Sequence, residues 1–244
     1  MPKLSYIVPA YNEEKNLEQI IKKVIDTTLP ANYQKEIIIV NDCSKDKTGE
    51  IADRLASDYN QVSVIHNQSN KGKTQTVREG LIKSTGDFTV IQDADLEYDP
   101  DDIVLMLDQL LKHDCDVAYG NRFGIDNGFV YFANFYGNIF ISFISSIFTS
   151  SRLHVMIPDM EVCYKMIRGD VARDLAPGIT STSNFGFEPE ITAKLSRYKL
   201  DGKKLKFIVL PIRYYPRTVE EGKKMKAFQD GFKALIEIIR FNIF

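Results

Sequence analysis

The sequence predicts an α/β protein built on a mostly parallel sheet flanked by helices, and three observations carry that expectation. Short β-branched runs, of the kind buried on both faces of a parallel sheet, recur through the N-terminal part of the chain. Amphipathic helical patterns separate them, and alternating strand and helix implies parallel pairing. With 44% apolar residues, a chain of 244 residues can bury one large core.

The first strand is "LSYIV" (4–8), and after Asn12 the positions Leu17, Ile20, Ile21, Val24 and Ile25 step at helical spacing. "EIIIV" (36–40) is followed, after Asp46, by Ile51, Ala52, Leu55 and Tyr59. "VSVI" (62–65) precedes a helix through Val77 and Leu81, and "FTVIQ" (88–92) precedes one through Ile103, Met106, Leu107, Leu110 and Leu111. "PAYNEE", "NDCSKD" and "DADLE" each directly follow a strand. They should meet at the carboxyl edge, where such sheets bind ligands.

From residue 125 the pattern changes. No charge lies between Asp126 and Arg152, while aromatics such as Phe129, Tyr136, Phe140, Phe143 and Phe148 crowd the stretch. Asn127, Asn134, Asn138 and several serines interrupt it. A helix lying at a lipid interface or facing an acceptor is expected, with a core or dimer contact and a full membrane span as the alternatives. Beyond it come "FGFEPEITAKL", a strand "FIVLPI", the polar "RYYPRTVEEGKKM" and an amphipathic helix from about Lys226.

Net charge is -2, yet residues 200–244 hold ten Lys or Arg against five Asp or Glu, which suits an anionic surface. Cys43, Cys115 and Cys163 are odd in number and widely spaced, fitting free thiols in a reducing cytoplasm better than disulfides or zinc. Asn12, Glu13 and Glu14 come too early for a signal-peptide core, so the sequon at Asn67 reads as a chance match.

"VIQDADLEYDPDDI" gathers six acids, a costly cluster unless a cation or water solvates it. In an extended stretch Asp93, Asp95 and Glu97 would face one side and could share a divalent ion. Asp99, Asp101 and Asp102 read as a helix start. "GKT" at 72–74 is no phosphate loop, because Asn67 stands where that motif needs glycine.

"IVPAYNEEKNL", "IIIVNDCSKDKTGEIA", "NKGKTQTVREG", "IQDADLEYDPDDI", "YGNRF", "DMEVCYKMIR", "NFGFEPEITAKL" and "YYPRTVEEGKKMKAFQDGFKAL" occur in order along nearly the whole chain. Together they resemble a family 2 glycosyltransferase of the GT-A fold, with its Rossmann-like sheet, in the branch containing dolichol-phosphate mannose and glucose synthases. The resemblance implies a catalytic domain over 1–225, with a nucleotide-sugar half to about 122 and an acceptor half over 123–225, and an amphipathic helix over 226–244. It implies inverting transfer of a hexose from a nucleotide diphosphate sugar, of the GDP-mannose or UDP-glucose type, to polyprenyl or dolichyl phosphate. The reaction would use Mg²⁺ or Mn²⁺ at the cytosolic face of a membrane.

Matched motif by motif, Pro9, Tyr11 and Glu13 would frame base and ribose, and Asp42 would bond the nucleotide. Lys73, Asp93, Ala94 and Asp95 would contact the donor, and Asp93, Asp95 and Glu97 would hold the metal. Arg122 and Arg217 would contact phosphates, and with Asp95 and Asp159 they complete the implied catalytic set. Capping is the alternative for Glu13 and Asp42, a salt bridge for each arginine, and a structural role for Asp159. A hydroxyl acceptor would need a general base, for which Asp159 and Glu161 are the carboxylates to consider. A phosphate monoester, with its second pKa near ~6, would not need one.

Cys43 departs from the pattern, since glycine is common there. A processive synthase is disfavoured by the absence of tryptophan, and a pyrophosphorylase by "PAYNEE" in place of a glycine-rich opening. A hydroxyl-acceptor transferase and a non-catalytic nucleotide-sugar-binding module remain the other readings. Nothing points to nucleic acid, and a homo-oligomer stays open.

Overall fold

The computed structural model describes residues 1–125, 127, 132–183, 185–216 and 227–243. Alternation dominates the first half: β1 (Lys3–Ala10), α1 (Leu17–Asp26), β2 (Gln34–Asn41), α2 (Thr48–Asp58), β3 (Val62–His66), α3 (Lys73–Lys83), β4 (Phe88–Ile91) and α4 (Pro100–Lys112). Then follow β5 (Val117–Asn121), α5 (Phe132–Leu153), β6 (Lys165–Arg168), α6 (Gly169–Leu175) and α7 (Phe187–Arg197). A small hairpin of β7 (Lys199–Leu200) and β8 (Lys203–Lys204), the strand β9 (Phe207–Pro211) and α8 (Ala227–Ile243) complete the chain.

One seven-stranded sheet runs in the order β3-β2-β1-β4-β6-β5-β9. Every pairing is parallel except those of β6, which lies antiparallel between β4 and β5. The four strands read from the first hundred residues, and "FIVLPI", are present. The motifs gave no warning of β5 or β6, because "VAYGN" ends in turn-forming residues and "KMIR" puts charges at both ends of a four-residue strand.

The core is the apolar filling of β1 and β2, where Leu4, Tyr6, Ile7, Val8 and Ile37 to Val40 are buried between helices on the two faces. Helix α3 approaches β1 closely because Gly80 has no side chain. A Cβ there would lie 2.4 Å from Ile7 Cγ2 and 3.3 Å from Val40 Cγ2.

The charge-free stretch forms a helix of inverted polarity. α5 buries Ser142, Ser145, Ser146 and Thr149 against the protein and exposes Tyr136, Ile139, Phe140, Phe143 and Ile147. Phe143 is 59% exposed and Ser142 1%. Helix α8 packs on α5 and α7 and adds a parallel outward stripe of Phe232, Ile236, Ile239 and Ile243. Arg197 on α7 donates to the carbonyls of Phe241 and Asn242, tying down the end of α8. Among the described residues no helix is long and apolar enough to cross a membrane.

Gly80→Ala should lower stability by about 1–3 kcal/mol, the usual cost of overpacking. Urea unfolding measures it, and an unchanged midpoint would mean that α3 does not need this close approach.

Candidate active site

The loops leaving β1 and β2 are stitched together. Ser44 Oγ accepts from Asn12 N at 3.0 Å, Asn12 Oδ1 accepts from Lys45 N at 2.8 Å, and Thr48 Oγ1 accepts from Glu13 N at 2.8 Å. Glu13 starts α1, its carbonyl accepting from Leu17 N and its carboxylate from Asn16 Nδ2. The carboxylate thus bonds a side chain and not a helix N–H, and α1 has Asn16 at its N-cap without a side-chain cap. Asn12 (φ 54°) and Cys43 (φ 58°) both take left-handed backbone at these strand exits. That conformation suits glycine, and it accounts for the glycine that the resemblance implies where Cys43 stands.

Asp42 is buried and holds the loop before α3. Its carboxylate accepts from Asn67 Nδ2 (2.8 Å), Lys71 N (2.9 Å) and Gly72 N (2.9 Å). Gly72, at φ 81°, turns the chain into the helix. Lys73 then begins α3, with Nζ 2.9 Å from Asp93 Oδ1 and 3.5 Å from Glu188 Oε1. Burial on its own would lower the Lys73 pKa, but the two carboxylates more than offset this and hold it well above the ordinary lysine value. The second and third polar clusters therefore meet through one ammonium group.

The acid-rich segment departs from expectation. β4 ends at Ile91 and residues 94–97 form bends, so the period-two argument for a shared face does not apply. Asp95 Oδ1 accepts from Glu97 N within the bend, and Glu97 Oε2 accepts from Tyr214 Oη at 2.9 Å. Among the described residues no three such side chains are grouped to hold a metal ion. Asp93 and Asp95 stand half-buried at the strand exit, while Glu97 ties this loop to the segment after β9. Tyr215 N donates to Glu97 O, and Tyr98 pairs with Tyr214. Asp99 caps α4 by accepting from Asp101 N, as its position suggested. Asp102 turns inward to bind Arg213.

Beyond β5, Arg122 and Asp159 form a buried bidentate pair. Asp159 Oδ2 accepts from Arg122 N (3.0 Å) and Nε (2.8 Å), and Oδ1 accepts from an Nη at 2.7 Å. Asp159 is 0% exposed and Arg122 7%. The guanidinium also lies 5.1 Å from the Tyr214 ring centre. Burial would lower the arginine pKa, but Asp159 outweighs it and raises the value.

Two residues along, Glu161 has a buried Oε1 without a hydrogen-bond partner. Burial first, and then the charge of Glu188, push its pKa up to about 8, against the pull of Lys165 and Arg122. Lys165 is fully buried, donates to Val162 O and lies 5.1 Å from the Tyr119 ring centre. Burial lowers its pKa.

Residues 5–175 match the family described as Glycosyl transferase family 2. The chain belongs to that family. Among curated relatives, the Dolichol-phosphate mannosyltransferase of Pyrococcus furiosus is 37% identical over 121 residues, covering 50% of this chain and 33% of that protein. The Undecaprenyl-phosphate mannosyltransferase of Micrococcus luteus is 24% identical over 228 residues, covering 89% of this chain and 85% of that one. The matches to the first three curated relatives span 33–40% of their lengths. The glucosyl-3-phosphoglycerate synthase of Mycobacterium tuberculosis, solved with Mn²⁺, UDP and glucosyl-3-phosphoglycerate, gives a TM-score of 0.66 at 15% identity. That alignment covers 99% of this chain and 80% of the other. These likenesses establish the GT-A fold.

In this family 2 glycosyltransferase, the strand exits carrying Pro9, Tyr11, Glu13, Asp42, Asp93, Ala94 and Asp95 converge with Lys73 at one sheet edge. Arg122 and Asp159 instead engage each other, and Arg217 lies outside the described residues. The motifs assigned no role to Glu188, Lys165 or Tyr214. All three lie within quoted stretches, and a charged residue amid apolar neighbours was the further signal available for Lys165.

Asp159→Asn should destabilise the fold by about 3–5 kcal/mol, because it leaves a guanidinium buried without a counter-charge. The double change Asp159→Leu with Arg122→Met should cost less. Thermal or urea unfolding ranks the two, and the reverse order would remove the structural role.

Proposed function

We propose that this chain moves a hexose, with inversion, from a nucleotide diphosphate sugar to a polyprenyl or dolichyl phosphate at the cytosolic face of a membrane, with Mg²⁺ or Mn²⁺. Donors of the GDP-mannose or UDP-glucose type suit it. The observation that carries the donor side is the convergence of the three strand exits on Lys73 and Asp93. Pro9 and Tyr11 frame the base and ribose, Asp42 fixes the loop that leads into Lys73, and the Lys73 ammonium faces the diphosphate.

Asp93 and Asp95 fit a divalent ion. Both offer hard carboxylate oxygens at a partly open strand exit, and an ion bound to a diphosphate takes only one or two protein carboxylates. Bound there, the ion would neutralise the negative charge that grows on the leaving diphosphate. Glu97, bonded to Tyr214, orients the adjoining loop. Arg217, just beyond Tyr214 and Tyr215 in sequence, is assigned to the phosphates.

For the acceptor, support comes from relatives named for dolichol phosphate and undecaprenyl phosphate, and from the inverted polarity of α5. A helix that buries hydroxyls and exposes phenylalanines is suited to a lipid interface. Lys233 and Arg240 on α8, with Lys203 and Lys204 on the hairpin, are exposed cations suited to anionic headgroups. A lipid phosphate attacks without a base, which agrees with an Asp159 committed to Arg122.

Asp95→Asn should keep the fold and lower metal-dependent transfer about 10²-fold, since one charge is lost at nearly constant volume. Transfer from radiolabelled donor to short-chain polyprenyl phosphate measures it. Full activity in the variant, or in wild type with excess chelator, would sink the metal assignment. Replacing both Phe140 and Phe143 by Ser should weaken vesicle binding by about tenfold or more. Wild-type chain that fails to float with neutral and with anionic liposomes would make a soluble acceptor the better reading.

A further inference from the structure

Lys73 touches one of the carboxylates proposed for the divalent ion and also a carboxylate that the three strand exits do not supply. Its ammonium lies against both oxygens of Asp93, 2.9 Å from Oδ1 and 3.2 Å from Oδ2. Glu188 Oε1, from the first turn of α7, is 3.5 Å from the same nitrogen.

The members of this trio differ in their freedom to move. The Glu188 side chain is 6% exposed, and the start of its helix is held on two sides. Glu190 accepts from Thr180 N and Ser181 N, each at 2.8 Å, which ties the preceding loop to α7. The same loop is tied to α3, where Thr74 Oγ1 donates to Ser183 O and Gln75 Nε2 donates to Ser181 O. The helix starts that carry Lys73 and Glu188 are therefore fastened to one stretch of chain. Lys73 carries its charge on a flexible four-carbon stem, and its side chain is 29% exposed. The ammonium is the part that can shift.

An ammonium and a divalent ion cannot both occupy the same edge of Asp93. An ion such as Mg²⁺ sits about 2.0–2.1 Å from its oxygen ligands, within the space that Nζ takes across Oδ1 and Oδ2, and the two charges repel. An ammonium that left Asp93 for no other anion would be a partly buried charge without a partner, which is unfavourable. Glu188 removes that obstacle, because a change of side-chain torsions carries Nζ from one carboxylate toward the other.

We propose that Lys73 is the resident counter-ion of Asp93 in the ligand-free protein and yields that place to the divalent ion, with Glu188 as the seat that receives it. This rests on the metal reading of Asp93 and Asp95 above. Glu188 is then a positioning residue, acting on the metal only through Lys73. The exchange keeps the strand exit balanced in charge whether or not the ion is there.

The test is equilibrium binding of Mn²⁺, read from the electron paramagnetic resonance of the free ion, first without nucleotide and then with UDP or GDP. Without nucleotide, Lys73→Met should bind Mn²⁺ about tenfold more tightly than wild type, since the competing charge is gone. Glu188→Gln should bind it about tenfold more weakly, since the ammonium has lost its second seat. Glu188→Asp keeps the charge but withdraws the carboxylate by one methylene, and should weaken binding about threefold or more. In a chain that already carries Lys73→Met, adding Glu188→Gln should change the affinity by less than about twofold, because no ammonium is left to receive. Thermal unfolding checks that each variant is folded, and Lys73→Gln takes the place of Lys73→Met if the latter is not.

Unchanged or weaker Mn²⁺ binding in Lys73→Met would overturn the exchange. Two results would overturn the role of Glu188 as a seat and leave it a charge acting through space. One is a Glu188→Gln effect that keeps its full size without Lys73, and the other is a Glu188→Asp variant that matches wild type. Wild type that takes up no Mn²⁺ with either nucleotide would instead defeat the metal reading itself, and this proposal with it.

Discussion

The buried ion pair of Arg122 and Asp159 is the interaction on which the segments around it depend. Arg122 closes β5, Asp159 belongs to the loop that lies on α5, and the guanidinium also faces Tyr214 beyond β9. Three segments distant in sequence are thus fixed to one planar cation. Such a pair contributes little net stability, because desolvation takes back much of the Coulomb gain. What it does supply is geometry, since a bidentate fork tolerates few arrangements of its partners. With Arg122 anchored, Tyr98 packs between Tyr164 and Tyr214, and the DADLE loop meets the segment that leads toward Arg217.

The sheet edge beyond β1, β2 and β4 is organised on a different principle. Asp42 spends its carboxylate on backbone and amide donors of the following loop, and so decides where α3 begins. Lys73 follows from that decision. Its ammonium lies between Asp93 and Glu188, lowering the repulsion among acids that composition alone made conspicuous. The cluster is part solvated bend, part ion-paired platform and part helix cap.

Much of this was legible in the chain. β1 to β4 announced themselves because buried parallel strands are runs of β-branched residues, and the polar motifs after them were legible because strand exits are where a sheet can afford polarity. The capping of α4 by Asp99 followed from charge and position. Three things were hidden for physical reasons. The bend at 94–97 meets Tyr214, more than a hundred residues away, a contact that nothing local announces. Arg122 and Asp159 each read as a ligand group because nothing local shows that a partner 37 residues off takes them. α5 showed its lack of charge, but which face turned outward was set by the serines that hydrogen-bond the 157–162 loop.

The placement of β6 bears on how the protein is made. β5 precedes β6 in the chain yet reaches β4 and the strands before it only through β6, and its other neighbour, β9, comes later still. The β3-β2-β1-β4 ladder needs nothing beyond residue 91 for its pairing. A ribosome releasing this chain would therefore free a complete four-stranded ladder early, while β5 waits with no edge to join until residue 168 has emerged. During that interval all of α5 is synthesised with its phenylalanines uncovered. The inverted helix is thus displayed to its surroundings before β5 and β6 have joined the sheet, so its exposed phenylalanines meet whatever lies beside the ribosome before the fold around them is complete.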